Sequence, residues 1–67
     1  MLSTNTYGFR FKTVEQVEYF LNLITEVLPQ EYQTEYSVSD LRVEMEVPEV
    51  VEEIYHKAFL AARKIAA

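Results

Sequence analysis

Sixty-seven residues, 49% of them hydrophobic and including five tyrosines and four phenylalanines, predict one folded domain spanning residues 1–67 and exclude a disordered chain. Cysteine is absent, which excludes disulfides, and a net charge of −5 argues against direct contact with nucleic acid. No apolar run reaches the roughly 18 residues of a membrane span and the polar start lacks a secretion signal, so we expect a cytoplasmic protein without membrane contact.

The first predicted element is a strand in the alternating stretch TYGFRFK. Tyr7, Phe9 and Phe11 point to one side of such a strand, and the residues between them point to the other. Exposed rings of this kind would resemble the base-stacking surface of an RNA-recognition motif. We favour burial in the core, because this strand is predicted to lie at a sheet edge with its rings beneath the helices.

An amphipathic helix is predicted from Val14 to Leu28, with its apolar residues on one half of the helical wheel. Thr13 and Gln16 have the spacing of a capping box, in which each side chain binds the backbone N–H of the other. Pro29 ends the helix. Tyr19 lies on the polar side, where a large ring is unexpected.

A β-hairpin is predicted next, with strands over 32–38 and 41–47. A two-residue turn at the SD dipeptide would place Glu35 opposite Glu44, whereas a four-residue loop would place Glu35 opposite Arg42. We favour the longer loop, because like charges in cross-strand pairs are destabilising. On the outer face of the sheet, Arg10 and Lys12 are predicted to pair with Glu44 and Glu46.

The closing helix begins at Pro48, which is tolerated at a first helical position because its missing N–H is not needed there. Acidic residues gather near its N-terminus and basic residues near its C-terminus, as the helix dipole favours. Leu60 lies in the polar arc of this helix and Phe59 at the edge of that arc. Together with Tyr19, these two residues are the predicted contacts with a partner protein.

The order strand, helix, strand, strand, helix predicts an α+β two-layer sandwich, with a three-stranded antiparallel sheet of order 1-3-2 and two helices on one face. Strand one is then an edge strand whose unpaired backbone can bind another chain. We therefore predict a homodimer or heterodimer formed along this edge, at Tyr7, Phe9, Arg10 and Phe11.

The residues give no support for enzymatic chemistry, a metal site or a cofactor. Glu53 and His56 have the Glu-x-x-His spacing of di-iron bundles, but those sites need two such motifs and further carboxylates. Gly8 is the only glycine, so neither a Walker loop nor a dinucleotide-binding fingerprint can be formed. Cysteine is absent, and no serine has a histidine whose sequence position suggests a neighbouring base for nucleophilic catalysis. We expect a protein that is not an enzyme.

The strand YGFRF, the helix ending in VLP, the strands YQTEYSV and LRVEMEV and the closing helix PEVVEEIYHKAFLAARKIAA resemble, in order and length, the small dimerising subunit of the KEOPS tRNA-modification complex. The resemblance implies a dimer whose helices dock onto a larger assembly containing a kinase-like subunit and a metallo-enzyme. The predicted function is a non-enzymatic assembly subunit. The alternative is a module that associates with tRNA or other RNA through its basic residues Arg10, Lys12, Arg42, Lys57, Arg63 and Lys64.

Overall fold

The computed structural model describes residues 3–65 and contains the five predicted elements in the predicted order. Their bounds are β1 (Thr4–Arg10), α1 (Val14–Val27), β2 (Tyr36–Ser39), β3 (Arg42–Pro48) and α2 (Glu52–Arg63), with short 3₁₀ turns at Gln30–Tyr32 and Glu49–Val51. The strands form one antiparallel sheet in the order β1-β3-β2, which confirms the predicted α+β fold. No helix among residues 3–65 has both the length and the apolar character that a bilayer crossing requires.

The core lies between the sheet and the two helices. Phe9 and Phe11 are buried and Tyr7 is half-buried against the same cluster, as the alternating pattern predicts. Phe20 of α1 contacts both buried rings, with centroids 4.9 Å from Phe9 and 5.2 Å from Phe11. Phe59 of α2 lies 5.3 Å from each of them. Both helices therefore pack on the first strand through aromatic contacts, which are worth about 0.5–1.5 kcal/mol each beyond the area they bury.

The capping box is only half formed. Thr13 caps α1 by accepting a hydrogen bond from the N–H of Gln16 at 3.2 Å. The Gln16 side chain instead accepts from the N–H of Lys12 at 2.8 Å and donates to the carbonyl of Ile65 at 2.8 Å, with a longer contact to Arg63. Its amide thus links the start of α1 to the end of α2, and it is the one buried polar side chain among the described residues.

The hairpin register differs from both predicted alternatives. Ser39 lies opposite Arg42, so the loop consists of Asp40 and Leu41, both at positive φ (49° and 65°). A two-residue loop of this type matches the twist of the flanking strands, and that preference outweighs a cross-strand charge pair worth a few tenths of a kcal/mol. Leucine at positive φ costs about 1–2 kcal/mol. That cost is offset because Leu41 packs on the core and accepts a hydrogen bond from the N–H of Phe11 at 2.9 Å.

Several element boundaries also differ from the sequence prediction, three of them with a clear effect on the fold. The first strand ends at Arg10, and α2 begins at Glu52 after a 3₁₀ turn. The second strand starts only at Tyr36, because the chain before it forms its own local bonds. Gln33 donates its side-chain amide to carbonyls near the end of α1, and Thr34 donates its hydroxyl to the carbonyl of Glu46 at 2.6 Å.

Candidate interaction surfaces

Among residues 3–65, the outer edge of β1 presents backbone groups without a hydrogen-bond partner at regular intervals. Phe11 donates its N–H to Leu41, and Ser3 accepts from the N–H of Glu49. Both bonds place odd-numbered residues of this strand in bonded pairs with β3. Because bonded and non-bonded pairs alternate along an antiparallel ladder, the even-numbered residues point their N–H and C=O groups away from β3. These residues, all exposed, are Thr4, Thr6, Gly8 and Arg10.

The predicted edge residues therefore divide into two groups. Arg10 is exposed and directs its backbone to the open edge. Tyr7, Phe9 and Phe11 direct their backbones to β3 and their rings to the core. A neighbouring chain would form backbone hydrogen bonds with the even-numbered residues. It would contact the three rings only from the open side of the strand.

Beside the β1 edge lies an acidic cleft of about 420 Å³ between this strand and the start of α2. The Tyr7 hydroxyl donates a hydrogen bond to a carboxylate oxygen of Glu52. This bond raises the pKa of Tyr7, and partial desolvation and the nearby charges of Glu52 and Glu49 raise it further. Glu53 and His56 also line the cleft.

The Glu53–His56 pair shows no metal-binding arrangement. Both side chains are exposed, and Glu53 forms an ion pair with Lys57 at 3.2 Å. Within residues 3–65, no group of three or more histidine, cysteine, aspartate or glutamate residues is placed to hold a metal ion. The pair therefore has the surroundings of solvated residues on a helix.

The three predicted partner contacts lie in different environments. Leu60 is 47% exposed on the outer side of α2, and Tyr19 is 43% exposed on α1. Phe59 differs from the prediction: it is half-buried and packs on the rings of β1, with the Arg63 guanidinium 5.5 Å from its centroid. Its aromatic contacts assign it to the core, so Leu60 and Tyr19 are the two that offer a large free surface.

The outer face of the sheet carries a cationic pair that the sequence prediction missed. Arg10 lies directly opposite Arg42, and Gly8 lies opposite Glu44. The predicted pairing of Arg10 and Lys12 with Glu44 and Glu46 is therefore wrong, because it required a different alignment of the strands. The Arg42 guanidinium lies over Gly8, where an added Cβ would come within 2.6 Å of its nitrogens, and it reaches Glu44 only at 3.9 Å.

Two further apolar surfaces were not predicted. One is a groove of about 330 Å³ between the helices, lined by Leu23, Ile24, Val27, Ile54, Lys57, Ala58 and Ala61. The other is the inner side of β2, where Tyr36 is 52% and Val38 47% exposed because the strand lies at the border of the sheet. The alternating pattern of 32–38 indicated an apolar face but carried no information on how far the helices extend over it.

Comparisons with known proteins identify no relative: no family model, curated protein or solved structure matches the chain. The surfaces are thus interpreted from their own chemistry, and the resemblance to the KEOPS subunit stays a prediction.

Proposed function

We propose that this chain is a non-enzymatic assembly subunit that binds another polypeptide by adding a strand at the β1 edge. The supporting observation is a seven-residue strand whose exposed even-numbered residues direct their backbone donors and acceptors outward. Main-chain hydrogen bonds supply the affinity in this mode of recognition. Chains of this length bury only about 60% of their unfolded surface, so an interface that extends the sheet also stabilises the fold.

Proline substitution tests the edge without breaking the existing sheet. Thr6→Pro removes an N–H that β3 does not use, so the variant should remain folded and lose its partner. Val38→Pro is the matched control, because the even-numbered residues of β2 likewise direct their backbone away from β3. Sedimentation velocity measures the association, and circular dichroism checks the fold. A Thr6→Pro protein that is folded and associates as strongly as the parent would refute the proposal.

A role within a larger complex, such as a tRNA-modifying assembly of the KEOPS type, is part of the same proposal. Leu60 and Tyr19 supply exposed side chains for such docking. Titration with a purified KEOPS kinase-like subunit, followed by sedimentation, tests this role. The Leu60→Asp variant should bind at least tenfold more weakly if α2 forms the contact. If the parent protein and the Leu60→Asp variant bind equally well, α2 does not form the contact.

The adjacent Arg10 and Arg42 support a second proposal, an RNA-associated module that binds phosphates on the outer sheet face. Glu44 and Glu46 on the same face oppose it. Filter retention of tRNA at low ionic strength distinguishes the two proposals. Retention that falls with salt and is lost in Arg42→Gln would support RNA binding, and no retention at any salt concentration would eliminate it.

A further inference from the structure

We propose that β2 is a second docking edge, which binds an extended segment of another protein with the pattern apolar, basic, apolar. In the complex this segment adds a strand beside β2. Its basic residue lies opposite Ser37, and its two apolar residues lie opposite Tyr36 and Val38. The inference goes beyond the proposed function, because it concerns the opposite edge of the sheet and specifies the chemistry of a separate partner.

The backbone of β2 has groups free to bind such a segment. Ser39 and Arg42 flank the two-residue loop of the hairpin and form a hydrogen-bonded pair. Because bonded and non-bonded pairs alternate, Ser37 also bonds to β3, whereas Tyr36 and Val38 direct their N–H and C=O groups away from it. Among residues 3–65 no strand covers this edge, since β2 ends the sheet. An added strand would therefore bond directly to Tyr36 and Val38.

The same two residues carry exposed apolar side chains on the inner face of the sheet. Tyr36 lies opposite the buried Met45, and Val38 lies opposite the buried Val43. Their own side chains remain about half exposed. An added strand places its side chains beside them at the usual strand spacing of about 4.8 Å. Apolar residues at these two positions would extend the core over surface that is otherwise hydrated.

The outer face of this edge is negatively charged. Ser37 points to that face and lies opposite Glu44. A shallow hollow of about 440 Å³ beside Ser37 is lined by Glu35, Glu44 and Glu46 and by no basic residue. The one ion pair of these glutamates within residues 3–65 is the long contact of Glu44 with Arg42, at 3.9 Å. A cation beside Ser37 would therefore be attracted to this face.

The small side chain at Ser37 allows the charges to meet. Two strand spacings separate the added strand from β3, or about 9.6 Å between backbones. A lysine or arginine opposite Ser37 can extend across the serine toward Glu44, whose side chain lies on the same face. The position opposite Ser39 is less suitable for a cation, because Ser39 itself lies opposite Arg42. The charges thus set the register, and alternate side chains supply the specificity of the added strand.

A different protein fits this edge better than a second copy of the chain does. The strand β1 and the residue after it contain the same pattern, at Phe9, Arg10 and Phe11. However, Phe9 and Phe11 are already buried against the chain's own helices, so they offer little surface to Tyr36 and Val38. A contact between β1 of one copy and β2 of the next would also fail to close.

Nuclear magnetic resonance titration of the ¹⁵N-labelled protein tests the site with a defined probe. The probe is a synthetic peptide in which valine, lysine and valine are flanked by threonines, and its matched control has glutamate in place of lysine. The lysine peptide should shift the amide signals of residues 36–39. It should bind more tightly than the glutamate peptide by about threefold or more, because the three glutamates attract one charge and repel the other. This preference should decrease as salt is added.

Ser37→Lys tests the charge pattern without changing the apolar residues. Ser37 is exposed, so the variant should remain folded. The added cation would lie between Glu44 and the basic residue of the peptide, and the preference between the two peptides should reverse. Ser37→Thr is the matched control, because it is uncharged and should retain the preference for lysine. Equal binding of both peptides by the parent protein would refute the charge argument.

Proline variants locate the peptide. Val38→Pro removes an outward N–H of β2, Thr6→Pro removes one of β1, and circular dichroism checks both folds. Peptide binding should be lost in Val38→Pro and retained in Thr6→Pro. The reverse result would overturn this inference and support strand addition at β1. Loss in both folded variants, or retention in both, would also overturn it and leave the proposed function to its own test.

Two further results would refute a separate basic partner. The first is the absence of any shift in residues 36–39 at about 1 mM lysine peptide, a concentration that detects even millimolar Kd values. The second is self-association of the parent protein alone, measured by sedimentation and abolished by Val38→Pro. That result would make the second copy the occupant of the β2 edge.

Discussion

Replacing Gln16 by leucine should destabilise the protein substantially, although the two side chains are similar in size. The Gln16 amide is only 2% exposed, and it satisfies the N–H of Lys12 and the carbonyl of Ile65, each at 2.8 Å. An unsatisfied buried backbone group costs about 1–3 kcal/mol. Both partners lie near the surface, so we use the low end for each and expect a loss of about 2 kcal/mol. A domain of this size has roughly 3–5 kcal/mol in total.

Urea denaturation followed by circular dichroism measures this loss. With an m-value of about 1 kcal/mol/M for a small domain, the midpoint should fall by roughly 2 M. Gln33→Leu is the matched control: Gln33 also donates to two carbonyls, at 3.1 and 3.2 Å, but it is exposed and water can replace it. Its cost should stay below about 0.5 kcal/mol. Equal costs for the two variants, or a Gln16→Leu midpoint within 0.5 M of the parent, would refute the reasoning.

Three further predictions concern the core, the hairpin and alkaline pH. Phe20→Ala should cost about 3–5 kcal/mol and leave the chain largely unfolded by circular dichroism, whereas Leu60→Ala on the surface should change the unfolding free energy by less than 0.5 kcal/mol. Leu41→Ile keeps the volume but places a β-branched residue at positive φ, so thermal unfolding should show a loss of about 1 kcal/mol or more. Stability should fall as the pH rises above about 10, because the folded-state pKa values of Tyr7 and Tyr55 are raised above the ordinary value for tyrosine and the unfolded chain loses these protons first. Replacing either tyrosine by phenylalanine should make the decline in denaturation midpoint less steep; an unchanged slope in both variants would contradict the assignment.

The fold could be predicted because its determinants are local and repetitive. Alternation in TYGFRFK and the helical spacing between Val14 and Leu28 each involve several apolar residues that agree, so single exceptions such as Tyr19 do not change the outcome. The resulting sheet order and the single helical layer are those observed.

The hairpin register could not be predicted by the same means. It depends on a small difference between turn geometries, and the charge argument supplied only a few tenths of a kcal/mol. A leucine at positive φ is uncommon, and its compensation comes from Phe11, distant along the chain. The position of Arg10 opposite Arg42 follows from the register of β1 against β3, which the sequence prediction placed differently.

The role of Gln16 was missed for a related reason. Its spacing from Thr13 is sufficient to predict a local cap, and no sequence pattern indicates that Ile65 will lie within reach of its amide. For the candidate interaction surfaces, the sequence predicted that the first strand lies at a sheet edge and that Leu60 is exposed. The division of β1 into outward and inward backbone groups required the observed bonds at both of its ends.

At its other edge the sheet ends in β2, which is also unpaired among residues 3–65. The molecule therefore has two edge strands of unequal length, and each can bind another strand. A head-to-tail contact between β1 of one molecule and β2 of the next would not close on itself and would grow into a fibril. β2 has only four residues, and just before it the Thr34 hydroxyl donates a hydrogen bond to the carbonyl of Glu46. The shortness of this strand limits such growth. A partner strand bound along β1 would block such growth from the longer edge, and Val38→Lys should limit it at the shorter edge.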